Sequence, residues 1–252
     1  MTAIGRWATA FLLAGILPAS AETLVATLST DSVEISSTFT GTAITLFGAI
    51  EQDGGGRIMA EEYDLAVVVR GPSQSAVTRR KERWFGVFVN RAAETYVAVP
   101  AFYTAHLSRP AALIAERDVL SLNQIGLSSI ALTNPDTGIV AADFRDAFVR
   151  LKAEDGLYSE ATGDIERLGA NLFQTNIRLP ANTPVGRYTA VVYLLGSGTV
   201  LAKAERGFVV DKSGFEQLTS GFARSQSLLY GIFCIGLALL TGYLAGVIFR
   251  RD

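Results

Sequence analysis

Histidine and cysteine, which most often carry catalysis or bind metals, are almost absent from this sequence of 252 residues. His106 is the one histidine and Cys234 is the one cysteine. One residue of each type is too few for a zinc site built from these residues or for a disulfide framework, and it argues against a Cys–His nucleophile pair. No Gly-x-Ser-x-Gly motif accompanies His106, so we interpret it as a surface or structural residue at the edge of a strand. The sequence predicts no catalytic, metal-binding or cofactor-binding residues, and a protein that is not an enzyme.

Carboxylates add no catalytic pattern. Glu61 and Glu62 are adjacent, whereas Asp143 and Asp146 lie three residues apart on a predicted helix face. A calcium-binding loop of the Asp-x-Asp-x-Asp-Gly type does not occur in the sequence. We therefore interpret both pairs as solvated surface charge.

A dense basic cluster stands out in a lightly charged chain. Its members precede Trp84 and are Arg79, Arg80, Lys81 and Arg83. Several guanidinium groups at this density could bind an anion, a phospholipid headgroup or an acidic partner. A solvated loop is the alternative, and the sequence leaves both interpretations open.

Small side chains recur every fourth residue near the C-terminus, at Cys234, Ala238, Gly242 and Gly246. This spacing places them on one face of a helix, where a second membrane helix can approach closely. The stripe predicts a contact with another membrane protein or with a second copy of this chain. Because glycine is common in membrane helices, a plain anchor is the alternative.

The residues between 22 and 212 that must position these groups are predicted to be mainly β-strand. The period-two pattern predicts strands at residues 33–39, 43–47, 63–70, 84–90, 94–103, 171–179, 189–195 and 199–210. Residues 63–70 and 84–90 are apolar on both faces, as expected of central strands. Pro100 indicates an edge or a bulge, because proline cannot donate to a strand ladder.

The periodicity changes between residues 110 and 155. Apolar side chains from Phe144 to Leu151 fall at helical spacing, and Gly156 is a helix stop. We predict two or three short helices inserted into an immunoglobulin-like antiparallel β-sandwich of seven to nine strands. Division into two domains near Pro110 is the alternative.

The N-terminal residues 1–21 have the three parts of a secretory signal peptide. Arg6 supplies the positive charge, a short apolar run follows, and Ala19-Ser20-Ala21 forms a small-x-small cleavage site. The apolar run is well below the ~20 residues that a membrane span needs. Cleavage is therefore predicted before Glu22, with an uncleaved anchor as the alternative.

The C-terminal residues 228–249 contain no charged side chain. As a helix they would extend about 33 Å, enough to cross a hydrocarbon core of ~30 Å. Arg250 and Arg251 follow directly, so residues 250–252 are predicted to be a cytoplasmic tail. A capping box beginning at Ser213 predicts a juxtamembrane helix over residues 213–227.

The overall composition agrees with a membrane protein. Mean hydropathy is +0.31 and only 18% of the residues are charged. The net charge of −2 lacks the basic excess of a nucleic-acid-binding surface. We therefore predict a single-pass protein of the bacterial inner membrane, with residues 22–212 as a periplasmic domain and no nucleic-acid partner.

Several short motifs fall in the same order as in a known family. They are Arg70-Gly71-Pro72, the basic run to Lys81, Val89-Asn90, Val99-Pro100-x-Phe102-Tyr103, Ser108-Arg109-Pro110, Pro-x-Gly-x-Tyr ending at Tyr188, and Leu229-Tyr230-Gly231. With these motifs the chain resembles the alphaproteobacterial putative transmembrane protein family over essentially its whole mature length. The resemblance implies no catalytic residues. By association it implies an accessory role beside an anion transporter of the sulfite-exporter type.

Two functions from different classes remain open at this point. The first is a membrane-anchored, non-enzymatic interaction module whose partner is another membrane protein. The second is a periplasmic ligand-binding receptor or enzyme that uses an arginine-rich pocket.

Overall fold

The computed structural model describes residues 22–52, 63–169, 171–213 and 227–248. Within these residues β-strands predominate, as the sequence predicts. The strands are β1 Glu22–Leu28, β2 Ser32–Ile35, β3 Gly41–Gln52, β4 Tyr63–Arg70, β5 Ser73–Trp84, β6 Val87–Pro100, β7 Tyr103–Leu107, β8 Tyr158–Thr162, β9 Glu166–Arg167, β10 Leu172–Pro180, β11 Gly186–Gly196 and β12 Thr199–Lys212. The helices are α1 Ala111–Ile114, α2 Arg117–Asn123, α3 Ala142–Glu154 and α4 Ser227–Ile248.

The strands form three sheets. One sheet has the order β1-β3-β10-β9, a larger one has the order β2-β12-β11-β4-β7-β8, and β5 pairs with β6 alone. The prediction of a wholly antiparallel fold is wrong at both edges of the larger sheet, where β2 pairs with β12 and β7 with β8 in parallel. The helical insertion supplies the long crossover that a parallel β7–β8 pair requires. The count of seven to nine strands was also too low, since twelve occur in the described residues.

Strand β4 lies at the centre of the larger sheet, between β11 and β7. Its interior residues from Asp64 to Val69 are all buried, which confirms the prediction of a central strand for residues 63–70. Ile44 and Leu46 of β3 and Ile177 of β10 belong to the same buried cluster as the β4 valines. The two larger sheets therefore share one hydrophobic core.

The helices of the insertion lie where the change of period predicts them, and they cover one face of the larger sheet. Three side chains of that sheet donate hydrogen bonds to carbonyls at the end of α2. Arg70 Nη2 lies 2.7 Å from the carbonyl oxygen of Asn123, Tyr193 Oη lies 3.2 Å from the same oxygen, and Tyr103 Oη lies 2.8 Å from that of Gln124. These bonds satisfy carbonyls that a helix end leaves without a partner in the helix.

The prediction that residues 84–90 form a buried central strand is wrong. Trp84 ends β5, Val87 begins β6, and Phe85-Gly86 form the turn between them. The apolar run therefore makes the exposed end of a two-stranded ribbon. Periodicity alone cannot distinguish an apolar hairpin tip from a buried strand, because both consist of consecutive apolar residues.

Two further placements differ from the prediction. The basic cluster lies within strand β5 and not in a loop, although all four of its side chains are exposed to solvent. His106 is not at a strand edge, because it is the fourth residue of the fully buried strand β7. Strand β7 is short, and its neighbours β4 and β8 cover it on both sides.

Several predictions fall on residues outside the described ranges. These are the signal peptide 1–21, residues 214–226 of the juxtamembrane helix and the tail 250–252. The predicted span 228–249 overlaps α4 in all but its last residue. Across the described parts of the chain, no helix is both long and apolar enough to cross a membrane, so the span stays a prediction.

Candidate functional site

The β5–β6 hairpin (residues 73–100) is the candidate interaction site. Its strands pair from Ser73↔Pro100 at the base to Trp84↔Val87 at the far end. A β5 strand of 12 residues at about 3.3 Å per residue extends about 40 Å. The hairpin therefore carries its turn well away from its base.

Four large apolar side chains, Trp84, Phe85, Val87 and Phe88, form the apolar tip of the hairpin. Their exposed fractions are 57%, 88%, 63% and 69%, respectively. The rings of Trp84 and Phe85 meet edge to face with centroids 4.8 Å apart. A contiguous exposed apolar patch of this kind marks an interaction site more often than a scattered single residue does.

The turn at the tip has an unusual residue in it. Phe85 has φ 46° and Gly86 has φ 82°, so both central residues of this two-residue turn have positive φ. Such turns favour asparagine or aspartate followed by glycine, since a bulky side chain is strained at positive φ. A phenylalanine that is strained and also exposed contributes little to the fold. Strain of this kind is typical of functional positions.

Helix α3 supports the base of the hairpin. Tyr96 is buried, its hydroxyl donates to the carbonyl oxygen of Phe144 at 3.1 Å, and its ring lies 4.8 Å from that of Phe148. Val97 forms an isolated bridge with Thr133. These contacts join the hairpin base to the helical insertion.

The structure divides the basic cluster between two faces of β5. Arg80 donates from Nη1 to Asp143 Oδ2 at 2.6 Å, and its guanidinium carbon lies 5.3 Å from the centre of the Phe144 ring. Glu82 also lies 3.4 Å from Arg80, which confirms that side chains two apart share a face. Strand alternation places Arg79, Lys81 and Arg83 on the other face. They are all exposed.

A cleft of about 460 Å³ lies between β5 and α3. Residues 78–81 of β5 border it, together with Asp143 and Arg150 of α3, and among these β5 residues it is Arg80 whose side chain reaches α3. Asp143, which the sequence analysis assigned to solvated charge, is therefore the partner of one of these cations. The cleft could hold an anion only beside a carboxylate that already pairs with Arg80.

His106 is a buried residue in a polar network that reaches the surface at Asp164 and Ser159. Its Nδ1–H donates to Asp164 Oδ2 at 2.9 Å, and its Nε2 lies 3.3 Å from Thr104 Oγ1, which is 2.8 Å from the Ser159 hydroxyl. Burial lowers the pKa of His106, although Asp164 acts in the opposite direction. A nucleophile activated by this histidine would have to be Thr104, which is only 3% exposed. The network therefore resembles a structural element more than a catalytic site.

A second ion pair joins Asp64, at the start of β4, to Arg109, which follows β7. Asp64 accepts from Arg109 Nε at 2.7 Å and from the Ser108 hydroxyl at 2.8 Å, and Arg109 Nη2 reaches its other oxygen. Arg109, together with Ser108, holds the pKa of the Asp64 carboxyl below its usual value, although burial opposes this. A bidentate pair of this geometry fixes the end of β7 against β4.

The small-residue stripe lies on α4, within the described residues. Cys234, Ala238, Gly242 and Gly246 are exposed there, and no atom comes within 4 Å of a Cβ built on either glycine. The described chain thus leaves this face uncovered. The predicted helix–helix contact stays a prediction.

Among the described residues, no group of three or more His, Cys, Asp or Glu side chains could hold a metal ion. The tip, in contrast, combines exposed aromatic rings with cations on the strand that leads to it. This arrangement is suited to binding a surface.

Comparison with known proteins gives a family match over residues 23–251, to the family described as putative transmembrane protein (Alph_Pro_TM). The chain belongs to this family. The resemblance inferred from the sequence motifs is thereby confirmed. No curated protein matches the chain. The family description supports membrane association, and it names no activity.

Sequence reasoning missed the apolar tip and the partners of His106. A signal for the tip was present, because a two-residue turn ending in glycine between two strand-like runs is typical of a hairpin. Asp164 gave no local signal, since it lies 58 residues from His106 in the chain.

Proposed function

We propose that this protein is a single-pass protein of the bacterial inner membrane whose β-rich outer domain is a non-enzymatic interaction module. The β5–β6 hairpin is its contact surface. The observation that carries this proposal is the apolar tip, where four large side chains are exposed at the end of a supported hairpin. Nothing in the packing of the described residues explains why these side chains are apolar.

The membrane anchor is residues 228–249. Three observations support it: the family description, the absence of charge in this run, and the helical conformation of Ser227–Ile248. The domain from residue 22 to 212 then lies in the periplasm, and residues 250–252 lie in the cytoplasm. The partner is another membrane component, and an accessory role beside an anion transporter agrees with this arrangement.

The outer domain is an immunoglobulin-like sandwich. In support, Tyr188 lies near the start of β11, and its hydroxyl donates to the carbonyl oxygen of Pro184, four residues earlier, at 2.6 Å. A tyrosine that bonds back to the backbone in this way is the tyrosine corner of immunoglobulin-like folds.

A second candidate is a receptor for a small anion. The cleft of about 460 Å³ between β5 and α3 favours it, since Arg80 and Arg150 line this cleft from its two sides. Calorimetric titration of the full-length protein with inorganic sulfate or phosphate tests this candidate. Saturable binding that Arg150→Ala removes would support it, and no heat of binding would exclude these two anions.

Photo-crosslinking in intact membranes tests the interaction module. A photoreactive phenylalanine derivative replaces Phe88 at the tip or, as a control, Leu122 on α2, which is 85% exposed. We expect a strong adduct from position 88 and a weak one from position 122. Equal yields at the two positions would contradict the proposal, because both side chains are exposed and only the first lies at the tip.

A further inference from the structure

We propose that the apolar tip inserts into the anionic headgroup layer of the same bilayer that anchors the chain. This inference rests on the proposed function, since it names the partner of the same hairpin. The observations behind it are the shape of the tip, the types of its residues and the placement of the cations beside it.

The shape of the tip favours a lipid surface over a protein. A hairpin turn is convex, and Trp84, Phe85, Val87 and Phe88 are all exposed over more than half of their surface. A protein partner would need a pocket that fits these four side chains and buries about 800 Å² on each side for a stable contact. A bilayer interface has no fixed shape and accepts a small convex apolar group.

The residue types at the tip are those of a membrane interface. Tryptophan is enriched at the level of lipid headgroups, where its ring is apolar and its N–H is hydrated. Phe85 and Phe88 add apolar surface on the two sides of the turn. Lipid insertion explains why a strained phenylalanine stands at position 85. Asparagine would adopt the positive φ with less strain, but its polar side chain would not enter lipid.

The charges beside the tip complement an anionic lipid surface. Arg83 pairs with Phe88 across the hairpin, and Lys81 and Arg79 follow on the same face. Each step of two residues moves a cation about 7 Å further from the tip, so Arg83 lies nearest the lipid surface and Lys81 and Arg79 follow at increasing distance from it. Long basic side chains extend their charges to this layer while an adjacent apolar group is immersed.

The membrane anchor keeps the tip close to the bilayer, so that even a shallow insertion is populated. A tethered site meets the bilayer at a high effective concentration, so a contact too weak for a free domain is still populated. Insertion would then hold the outer domain in one orientation on the membrane. Without the tip the domain would keep its anchor and lose this orientation.

Trp84 itself reports on insertion. The chain has two tryptophans, Trp7 and Trp84. In a Trp7→Phe background, Trp84 is the single fluorescent reporter whether or not residues 1–21 are removed. The full-length chain is reconstituted into vesicles of phosphatidylcholine with or without phosphatidylglycerol, and quenching by brominated lipids of the same vesicles is measured.

We expect a blue-shifted Trp84 emission and quenching by lipids brominated near the headgroup, both stronger with phosphatidylglycerol. Phe85→Asn should reduce quenching several-fold without unfolding the domain. Replacing Arg79, Lys81 and Arg83 by glutamate should remove the effect of phosphatidylglycerol. The matched controls are Leu122→Asn and Arg117→Glu on α2, which should change neither result.

Three outcomes would overturn the inference. In the first, Trp84 emission and quenching are identical in the two vesicle types and the crosslink from position 88 joins a protein. This result would reject lipid insertion but retain the hairpin as the contact surface. Quenching only by brominated lipids in a separate, added vesicle population would place the tip on a facing bilayer. Absence of both quenching and a crosslink above the control would reject the proposed function as well.

Discussion

At the scale of single residues, His106 shows how burial sets the chemistry of a group. The ring is held between Asp164 and Thr104 inside the larger sheet, and burial lowers its pKa. The nearby Arg178 acts in the same direction. The folded protein therefore keeps this histidine neutral at pH values where the unfolded chain already binds a proton.

This difference predicts a pH dependence of stability. The unfolded histidine titrates near its ordinary pKa of about 6.5, and the folded one titrates below that value. The contribution of His106 to the free energy of unfolding is therefore fully present above about pH 6.5. It falls as the pH is lowered, by at most about 1.4 kcal/mol per pH unit, until the folded histidine also binds a proton. Thermal unfolding of the full-length protein between neutral and mildly acidic pH measures this.

The control is His106→Gln, which keeps a polar side chain that does not titrate in this range. We expect this variant to have a lower melting temperature that changes less across the same pH values. An equally steep decrease in the variant would show that other groups cause the acid sensitivity.

At the scale of elements, β4 and the hairpin tip show what a sequence pattern can and cannot decide. Residues 63–70 were predicted correctly, because an uninterrupted apolar strand is buried on both faces only at the centre of a sheet. Residues 84–90 have a similar composition, but the turn Phe85-Gly86 divides them between two strands. The pattern of apolar residues alone does not distinguish these two cases.

The C-terminal helix carries the second prediction at this scale. If the small-residue stripe packs against a partner helix, Gly242→Ile or Gly246→Ile should weaken that contact by a few tenths to ~2 kcal/mol, because the added side chain holds the helices apart. Self-association in a membrane two-hybrid assay, or co-purification with a partner, measures it. Leu239→Ile, on another face of the helix, is the matched control.

Isoleucine is well accepted in lipid, so the glycine variants should still insert. Equal behaviour of the two glycine variants and the Leu239 control would leave the helix as an anchor without a packing face.

At the scale of the whole molecule, long-range pairing limits what the sequence can reveal. The β-rich composition and the position of the helical insertion could be read from local periodicity. The parallel pairs at the sheet edges could not, because Val33 pairs with Val210 and His106 with Ala161, far apart in the chain. The contact of Arg80 with Asp143 is equally non-local, so the sequence could not divide the basic cluster into its two faces.

Processing of the N-terminus provides a prediction for the complete protein. If residues 1–21 are a signal peptide, the mature protein should begin at Glu22, because signal peptidase cleaves after the small-x-small motif. N-terminal sequencing of protein purified from membranes measures this. A purified membrane form that retains Met1 would show that the segment is an uncleaved anchor.

The most direct test of the account is a paired measurement on Phe85→Asn. Phe85 serves contact with an external surface, and its positive φ destabilises the fold by about 1 kcal/mol or more. The free energy of unfolding should therefore increase by about 1 kcal/mol. In the same variant, the yield of the crosslink from position 88 should fall several-fold. A crosslink yield that stays unchanged, or a stability that falls together with it, would contradict the central claim that the tip serves contact and not folding.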